Sequence, residues 1–565
     1  MLEQLGSTKI GKEALRQARM LKVMTESGVI RPYNPVALVG VAKAIFERGI
    51  GFAGGIEALA IRSPQDLAVI DDLGELTWKE LDERSTRLAH GLIDLGVGQD
   101  DSVALLCRNH RYFVEVSTAL SKIGADILYL NTAFSAKQLG EVCDREKPAA
   151  IVYDDEYTDL IDESGTDLER VIAWKDGDHD GADSGHASVE DLVEKGSTDK
   201  LPVPSAQTKP VILTSGTTGT PKGAPRGESG LDGAVALLSK MPFKTGGRTY
   251  IAAPLFHTWG WAHLNLAMLL GSTLVLTRKF DPAGSLKTLR EHDCDAMIVI
   301  PVMMQRIMKL DDDERSGDWS TLRVVAASGS ALPGDLAEHW MDAFGDSLYN
   351  TYGSTEVAWA TIAQPQDMRD APGTAGKPPY NTVVKIYDED GKPVDDGGSG
   401  RIFVGNTMLF GGYTGDEAES KEMIDGLMSS GDIGRFDEEG RLFIDGRDDE
   451  MIVSGGENVF PKEVEDCLSR HDNVSDVAAV GVDDDDFGKR LRAFVVKDGD
   501  VDSDELSDTL KAWVKDNLAR YKVPREIVFL DELPRNATGK VLKKDLKDYD
   551  ENGKPADDDT GDSKE

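Results

Sequence analysis

The sequence is poor in cysteine and in long apolar runs, and each shortage excludes a class of protein. Only 4 cysteines occur in 565 residues, at positions 107, 143, 294 and 467. This wide spacing fits neither a metal knuckle nor a CxxC pair, so we expect reduced thiols and a cytoplasmic location. No apolar run reaches the ~20 residues that span a bilayer. The charged N-terminal segment contains no apolar signal core.

Basic residues are also scarce. Lys and Arg number 63 against 101 Asp and Glu, which gives a net charge of −38. Because such a surface repels phosphate backbones, we expect no nucleic-acid partner. A polyanionic substrate must therefore bind in a pocket that is locally basic or lined by backbone dipoles.

Short β-rich runs alternate with amphipathic helical patterns through the first 400 residues. The predicted strands are Ser102–Cys107, Ala149–Asp154, Pro210–Gly216, Ala296–Pro301 and Arg323–Gly329. This alternation predicts an α/β fold with mostly parallel sheets. After about Gly400, short strands are separated by Gly- and Asp-rich turns, and a small α+β unit begins after Asp449. The segment Asp176–Lys200 is predicted to be a surface loop with at most one helical turn.

The most informative motif is TSGTTGTPKG at Thr214–Gly223, directly after an apolar strand. Its glycines permit tight backbone approach, and its hydroxyls, N–H groups and Lys222 can surround phosphate oxygens. It is not a Walker A loop, because Gly223 follows the lysine. The predicted phosphate-binding residues are Thr214, Ser215, Gly216, Thr217, Thr218, Gly219 and Lys222.

A second motif, NTYGSTE, occupies Asn350–Glu356. Tyr352 offers a flat ring on which a base can stack, and Thr355 offers a hydroxyl for a phosphate. Glu356 offers a hard carboxylate ligand for Mg²⁺.

These two motifs occur in the order found in the adenylate-forming enzymes, which include acyl-CoA synthetases, adenylation domains of peptide synthetases and firefly-type luciferases. The chain resembles this superfamily from about Ile56 to Asp545. The resemblance implies an AMP-forming acyl-CoA synthetase of the medium- or long-chain fatty-acid type, which uses ATP, Mg²⁺ and CoA. It also implies a large N-terminal domain of packed α/β subdomains with a β-barrel-like subdomain, followed by a small mobile α+β domain.

The resemblance divides the chain into four segments. They are an N-terminal helical extension at 1–55, an AMP-binding (adenylation) domain at 56–448, a mobile C-terminal domain at 449–547 and a disordered acidic tail at 548–565. The C-terminal domain is expected to rotate about Asp449 between adenylation and thioester formation.

The resemblance also implies the roles of individual residues. Lys540 corresponds to the mobile catalytic lysine, whose ammonium stabilises charge on the α-phosphate and the attacking carboxylate. Asp432 and Arg447 correspond to the ribose-binding pair, and Gly455 lies where pantetheine approaches. The residues expected beside the nucleotide are Ser328, Gly329, Ser330, Ala331, Tyr352, Gly353, Ser354, Thr355 and Glu356.

On the acyl side, His257 lies where the superfamily's amino-acid-activating members carry an acid. With Trp259 and Trp261 nearby and no acid, we predict an unaminated acid with an apolar tail and His257 as a gate. A core or helix-cap histidine is the alternative. Further tunnel candidates, for which core packing is the alternative, are Val302, Met303, Met304, Val357, Ala358 and Trp359.

Several alternatives stay open. The acceptor is CoA or a carrier protein, and the acid is fatty, aryl or short-chain. The rival from another class, a catalytically silent nucleotide-binding regulator, would lack one of Lys222, Glu356, Arg447 and Lys540, and the sequence has all four. The basic cluster Lys489, Arg490 and Arg492 is a candidate for CoA or ordinary surface charge. The helix predicted over Asn34–Phe46 either docks on the body or makes a peripheral membrane contact, and a homodimer is left open.

Overall fold

The computed structural model describes most of the chain. The described residues are 9–175, 185–214, 222–225, 231–354, 357–395, 397–409, 421–448, 450, 452–454, 457–484, 488–536, 539–550 and 553. Most of the tail predicted to be disordered lies outside them.

The helices alternate with strands through the first two thirds of the chain. Their bounds are α1 Lys9–Glu26, α2 Pro35–Arg48, α3 Phe52–Arg62, α4 Trp78–Asp94, α5 Arg111–Ile123, α6 Ala136–Glu146, α7 Thr158–Glu163, α8 Val189–Lys195, α9 Asp232–Leu238, α10 Thr258–Leu270, α11 Pro282–Glu291, α12 Pro301–Met308, α13 Asp312–Arg315, α14 Gly334–Phe344, α15 Pro365–Asp370, α16 Pro461–Leu468, α17 Ser503–Asn517 and α18 Lys543–Lys547.

The strands are shorter than the helices on average. Their bounds are β1 Leu67–Asp71, β2 Gly74–Thr77, β3 Ser102–Leu106, β4 Asp126–Tyr129, β5 Ala150–Tyr153, β6 Glu169–Ile172, β7 Ala187–Ser188, β8 Pro210–Thr214, β9 Lys222–Pro225, β10 Arg248–Ile251, β11 Thr273–Val275, β12 Ala296–Val299, β13 Val324–Ala327, β14 Leu348–Tyr352, β15 Thr361–Ala363, β16 Val383–Tyr387, β17 Gly400–Gly405, β18 Met423–Ile424, β19 Leu427–Phe436, β20 Leu442–Arg447, β21 Ile452–Ser454, β22 Glu457–Val459, β23 Val474–Asp484, β24 Gly488–Lys497 and β25 Glu526–Leu530.

Two mostly parallel sheets form the body of the large domain, as the alternating pattern predicts. Within the described residues, one has eight strands in the order β15-β14-β13-β12-β10-β11-β1-β2 and the other has seven, β7-β6-β5-β3-β4-β8-β9. The central strands β12 and β13 are buried along their whole length. Strands covered on both faces read as continuous apolar runs, which is why the sequence revealed them.

A smaller antiparallel sheet follows. Its described strands run β16-β17-β19-β18, and β20 pairs with β19. It corresponds to the predicted β-barrel-like part, and it positions Asp432 on β19 opposite Arg447 on β20. The small C-terminal domain is α+β, with strands in the order β22-β21-β24-β23 and a parallel β25 on β24. Helix α16 packs on β23, and α17 packs against α16. The predicted fold class is confirmed.

The N-terminal extension is helical and packed on the body. A hydrophobic cluster joins Val23 and Met24 of α1 to Val235 of α9 and to Tyr380. Arg48 of α2 is buried, pairs with Glu57 and donates to a backbone carbonyl. These contacts confirm the docked alternative.

The outer face of α2 is apolar and exposed. The exposed fractions are 81% for Val36, 73% for Val39 and 90% for Phe46. A peripheral membrane contact of this face therefore stays a hypothesis. Among the described helices, none is both long and apolar enough to cross a bilayer.

The structure contains secondary structure that the sequence analysis did not predict. The segment predicted to be a loop contains β7 and α8, because Val189, Leu192 and Val193 are buried against the body and Ser188 caps the helix. Its residues 176–184 lie outside the described part.

All four cysteines are buried and unpaired, in line with the expected thiols.

Candidate active site

The candidate site begins where two neighbouring parallel strands end. Strand β13 ends just before Ser328 and strand β14 ends at Tyr352. The Ser328 hydroxyl donates a 2.8 Å hydrogen bond to the carbonyl of Thr351 and so ties the two ends together. The carboxyl ends of parallel strands are where α/β sheets bind ligands.

Tyr352 connects this edge to the predicted ribose-binding pair. Its hydroxyl donates a 2.5 Å hydrogen bond to Oδ2 of Asp432 and lies 3.2 Å from Oγ of Ser430. Asp432 is in register with Arg447 on the adjacent strand. Burial and the Asp432 carboxylate raise the pKa of Tyr352 well above its usual value, so the hydroxyl remains a donor. The sequence indicated each residue but not this link.

Gly353 follows, and the structure gives a steric reason for the glycine. A Cβ there would lie 2.2 Å from the carbonyl oxygen of Ala358 and 2.7 Å from Cα of Trp359. Only glycine allows these two segments to approach so closely. The absent side chain therefore makes room for the backbone of Ala358 and Trp359. Gly353 and Ser354 both line the cavity.

The phosphate loop is described only at its ends. Thr214 at the end of β8 pairs in antiparallel register with Lys222 at the start of β9, so the loop connects a β-hairpin. The predicted residues Ser215, Gly216, Thr217, Thr218 and Gly219 lie outside the described residues, as do Thr355, Glu356, Asp449 and Gly455.

His257 lies on the acyl side, at the N-cap position of α10. Its side chain makes no capping hydrogen bond, and its Nε2 is buried with no hydrogen-bond partner among the described residues. Burial lowers the pKa of His257 to about 4, so the imidazole is neutral at physiological pH. The histidine lines the cavity, which fits the predicted gate better than a cap.

One face of α10 forms the acyl-side wall along the whole helix. Its cavity-lining side chains recur every three or four residues and are Thr258, Trp259, Trp261, Ala262, Asn265, Leu266, Met268 and Leu269. Val302, Ala358 and Trp359 line the same cavity. Met303 and Met304 are buried away from it and Val357 is fully buried, so the core alternative holds for these three.

Lys540 reaches the cavity from the C-terminal domain. Its backbone N–H donates to Oδ1 of Asn536 in a tight turn, and its side chain lines the cavity. A Cβ at Gly539 would lie 2.4 Å from Val302 of the large domain, so this turn rests directly against α12. Lys309 also donates to Ser475 across the two domains, 2.7 Å away.

Lys543 is a residue that the sequence did not single out. Its ammonium pairs with Glu450 at 2.8 Å and with Glu465 at 2.9 Å, and these carboxylates raise its pKa although burial opposes them. Glu450 is adjacent to the predicted hinge residue. Through these two ion pairs Lys543 joins the segment of the predicted hinge to α16. The three residues are far apart in sequence, so only the three-dimensional structure reveals the contact.

The basic cluster proposed for CoA is partly engaged within the protein. Arg490 and Arg492 both pair with Glu526 at 2.5 Å. The reading as ordinary surface charge is therefore favoured for these two arginines.

A single cavity of about 3110 Å³ connects the nucleotide-side residues Asp432 and Tyr352 with His257 on the acyl side. It runs from Lys540 and Asp432, past Tyr352, to His257 and along α10. Pockets for one drug-sized ligand measure about 300–1,000 Å³, so this cleft has room for several substrates.

The architecture and this cleft between a large and a small domain define a two-domain nucleotide-binding enzyme, and the comparisons identify the family. The chain belongs to the AMP-binding enzyme family, because the sequence model of that family matches residues 56–414. The family model of the AMP-binding enzyme C-terminal domain matches residues 463–540. Family membership confirms the predicted class, an AMP-forming acid–CoA ligase that uses ATP, Mg²⁺ and CoA.

Individual relatives cover most of the chain. A feruloyl-CoA synthase from Amycolatopsis is 32% identical over 491 residues, which are 86% of this chain and 96% of the relative. A 2-succinylbenzoate–CoA ligase from Geobacillus kaustophilus is also 32% identical with the same coverage. The solved o-succinylbenzoate CoA synthetase of Bacillus subtilis, bound to its acyl-adenylate intermediate, has a TM-score of 0.75 and 26% identity over 88% of this chain and 98% of that chain.

Proposed function

We propose that the protein activates an aryl or arylalkanoic acid with ATP to an acyl-adenylate and then transfers the acyl group to CoA. The observation that carries this proposal is the single cavity that is lined both by Lys540, Tyr352 and Asp432 and by Trp259 and Trp261. A nucleotide site and an aromatic acid site thus share one space.

The relatives support the aryl alternative better than the fatty-acid reading. Their names specify ferulate and 2-succinylbenzoate, both aromatic acids. Aromatic side chains form favourable contacts with an aromatic substrate. The medium- or long-chain fatty acid stays as the second candidate.

The residues of the site have distinct roles in this proposal. Asp432 and Arg447 would bind the ribose hydroxyls, and Tyr352, held by its hydrogen bond, would stack on the adenine. The neutral His257 would close the acyl site without adding charge. The expected Mg²⁺ neutralises phosphate charge when bound, and its predicted ligand Glu356 follows two residues after the cavity-lining Ser354.

The Lys540 ammonium would stabilise the charge that develops when the carboxylate attacks the α-phosphorus and pyrophosphate leaves. In the second step the CoA thiolate attacks the acyl carbonyl and AMP leaves. Rotation of the C-terminal domain about Asp449, withdrawing Lys540 between the two steps, remains a prediction from the family resemblance.

A panel of acids tests the substrate class. C2 to C18 alkanoic acids and aryl acids are supplied with ATP and CoA, and AMP and thioester are scored together. We expect both products with aryl acids. Turnover of alkanoic acids alone would contradict the aryl proposal, and AMP without thioester would indicate another acceptor.

A half-reaction test addresses Lys540. Lys540→Ala is expected to lower acyl-adenylate formation by about 10²–10³-fold, the usual effect of losing such a stabilising group. Thioester formation from pre-made acyl-adenylate should survive. Lys544→Ala, which removes an exposed lysine of the same domain, is the matched control. An equal loss of both half-reactions in folded Lys540→Ala protein would refute the role.

A further inference from the structure

Two arginines stack on one tyrosine at the end of the cavity far from the nucleotide side. The guanidinium carbon of Arg31 lies 5.1 Å from the centre of the Tyr33 ring and that of Arg62 lies 5.2 Å from it. Nη1 of Arg62 also donates a 3.2 Å hydrogen bond to the Tyr33 hydroxyl. Tyr33 and Arg62 both line the cavity.

In the described part of the chain both arginines hydrogen-bond to hydroxyl groups only, Arg31 to Thr245 and Arg62 to Tyr33. In the described part of the chain, neither Arg31 nor Arg62 forms an ion pair with a carboxylate, and Nε of Arg62 is buried without a hydrogen-bond partner. Burial lowers the pKa of Arg62, and the neighbouring Arg31 lowers it further, although Tyr33 and Asp66 oppose this shift. An unpaired, partly desolvated cation is costly, and in a chain with 101 acidic residues it is conspicuous.

Arg31, Tyr33 and Arg62 lie on the acyl side of the cavity and not on the nucleotide side. Helix α10 has His257 at its N-cap and Gly271 at its C-cap. A Cβ at Gly271 would lie 2.5 Å from Nη2 of Arg62, so the guanidinium lies against that far end. The two ends of the lining face are thus about 20 Å apart at 1.5 Å per residue.

The N-terminal extension completes this outer part of the cavity. Its lining side chains are mostly apolar and include Met20, Met24, Val29, Ile30, Val41 and Ile45. These residues precede the segment that matches the family model, which begins at residue 56. The extension therefore adds an apolar wall that leads from the acyl site to the arginine pair.

We propose that Arg62, backed by Tyr33 and Arg31, binds a second anionic group at the far end of the acid that this enzyme activates. The substrate class is an elongated apolar acid with a carboxylate at each end. A guanidinium forms strong charge-assisted hydrogen bonds with a carboxylate, and Arg62 lines the cavity. The proposal rests on the proposed acid–CoA ligase function and specifies its substrate.

Matched substrates test it. Each α,ω-dicarboxylic acid, with or without a ring in its apolar body, is compared with the acid of equal length that ends in a methyl group. We expect the wild type to prefer the diacid in kcat/KM by roughly 10- to 100-fold at the length that spans the cavity. A preference for the methyl-terminated acid at every length would overturn the proposal.

Variants separate this role from a structural one. Arg62→Met should abolish the diacid preference and retain turnover of methyl-terminated acids, whereas Arg62→Lys should keep part of it. Arg19→Met, which removes an exposed arginine of the same extension, should keep the wild-type ratio. If Arg62 only stabilises the C-terminal end of α10, Arg62→Met will lower the melting temperature and leave the ratio unchanged, which overturns the proposal.

Other anions and the underlying activity are distinguished in the same series. Arg62-dependent binding of inorganic phosphate or of anionic lipid vesicles, with no effect on diacid selectivity, would assign the site to a different anion and overturn the proposal. Failure to form a thioester from any acid would instead refute the proposed function. Turnover of monoacids without a diacid preference refutes this inference alone.

Discussion

The hydroxyl of Tyr352 donates a 2.5 Å hydrogen bond to Asp432 and thereby ties the eight-stranded sheet to the antiparallel sheet beside it. The bond connects a residue predicted to stack on adenine with one predicted to bind ribose. Because burial and Asp432 keep this hydroxyl protonated, the link fixes ring and carboxylate relative to each other before a nucleotide binds.

Removal of this hydroxyl should therefore weaken nucleotide binding more than it slows the chemistry. For Tyr352→Phe we expect KM for ATP to rise about 10- to 100-fold with little change in kcat, since one hydrogen bond to a charged group contributes about 1.5–3 kcal/mol. Steady-state kinetics at varied ATP measure the effect. Tyr349→Phe, on the same strand, is the control and should leave KM unchanged. A fall in kcat alone would show that the hydroxyl acts in the reaction instead of in binding.

The strands and several site residues were predictable because their signals are local. The buried runs at Ala296–Val299 and Val324–Ala327 are continuous in sequence, and the motif around Tyr352 follows directly from a strand. The Lys543 pair with Glu450 and Glu465 is not local, nor is the stacking of Arg31 and Arg62 on Tyr33. Such contacts depend on tertiary packing, which no spacing rule encodes.

Lys543 should have a structural role, in contrast to the catalytic role proposed for Lys540. Lys543→Ala leaves Glu450 and Glu465 facing each other without their shared cation. Because the ion pairs of Lys543 with the two glutamates are only partly buried, we expect their loss to lower the unfolding free energy of the C-terminal domain by about 2 kcal/mol. Glu465 also accepts from the backbone N–H of Ala479, so the disturbance should reach β23.

Denaturant unfolding and the two half-reactions distinguish the lysines. Both half-reactions should weaken together in Lys543→Ala, in contrast to Lys540→Ala. The exposed Lys544→Ala again serves as control. A stable Lys543→Ala protein that loses adenylation alone would assign a catalytic role to this lysine.

Gly353 should tolerate no side chain. Alanine there would place Cβ within 2.2 Å of the Ala358 carbonyl, and backbone must shift to relieve the clash. We expect Gly353→Ala to lower kcat/KM by about 10²-fold, because a displacement of about 1 Å at the site has that effect. Gly98→Ala, where the nearest atom to a new Cβ is 3.4 Å away, is the steric control. Full activity of Gly353→Ala would mean that this segment adapts freely.

His263 should make stability depend on pH in a definite direction. It is 1% exposed, its Nδ1 bonds to the carbonyl of the cavity-lining Trp259 at 3.0 Å, and burial lowers its pKa to about 4. The unfolded chain, with a histidine pKa near 6.5, binds more protons between these values. Stability due to this residue is therefore fully present above about pH 6.5 and is lost as pH falls toward 4, by about 3 kcal/mol in all.

The difference in unfolding free energy between wild type and His263→Phe, measured from pH 7 to pH 4.5, isolates this contribution because the other titrating groups cancel. The unfolding free energy of the wild type minus that of His263→Phe should fall as pH falls, because only the histidine binds a proton in the unfolded chain. The exposed His339→Phe should give a nearly constant difference. A His263→Phe difference that is equally constant would show that the imidazole is protonated, or reached by water, in the folded protein.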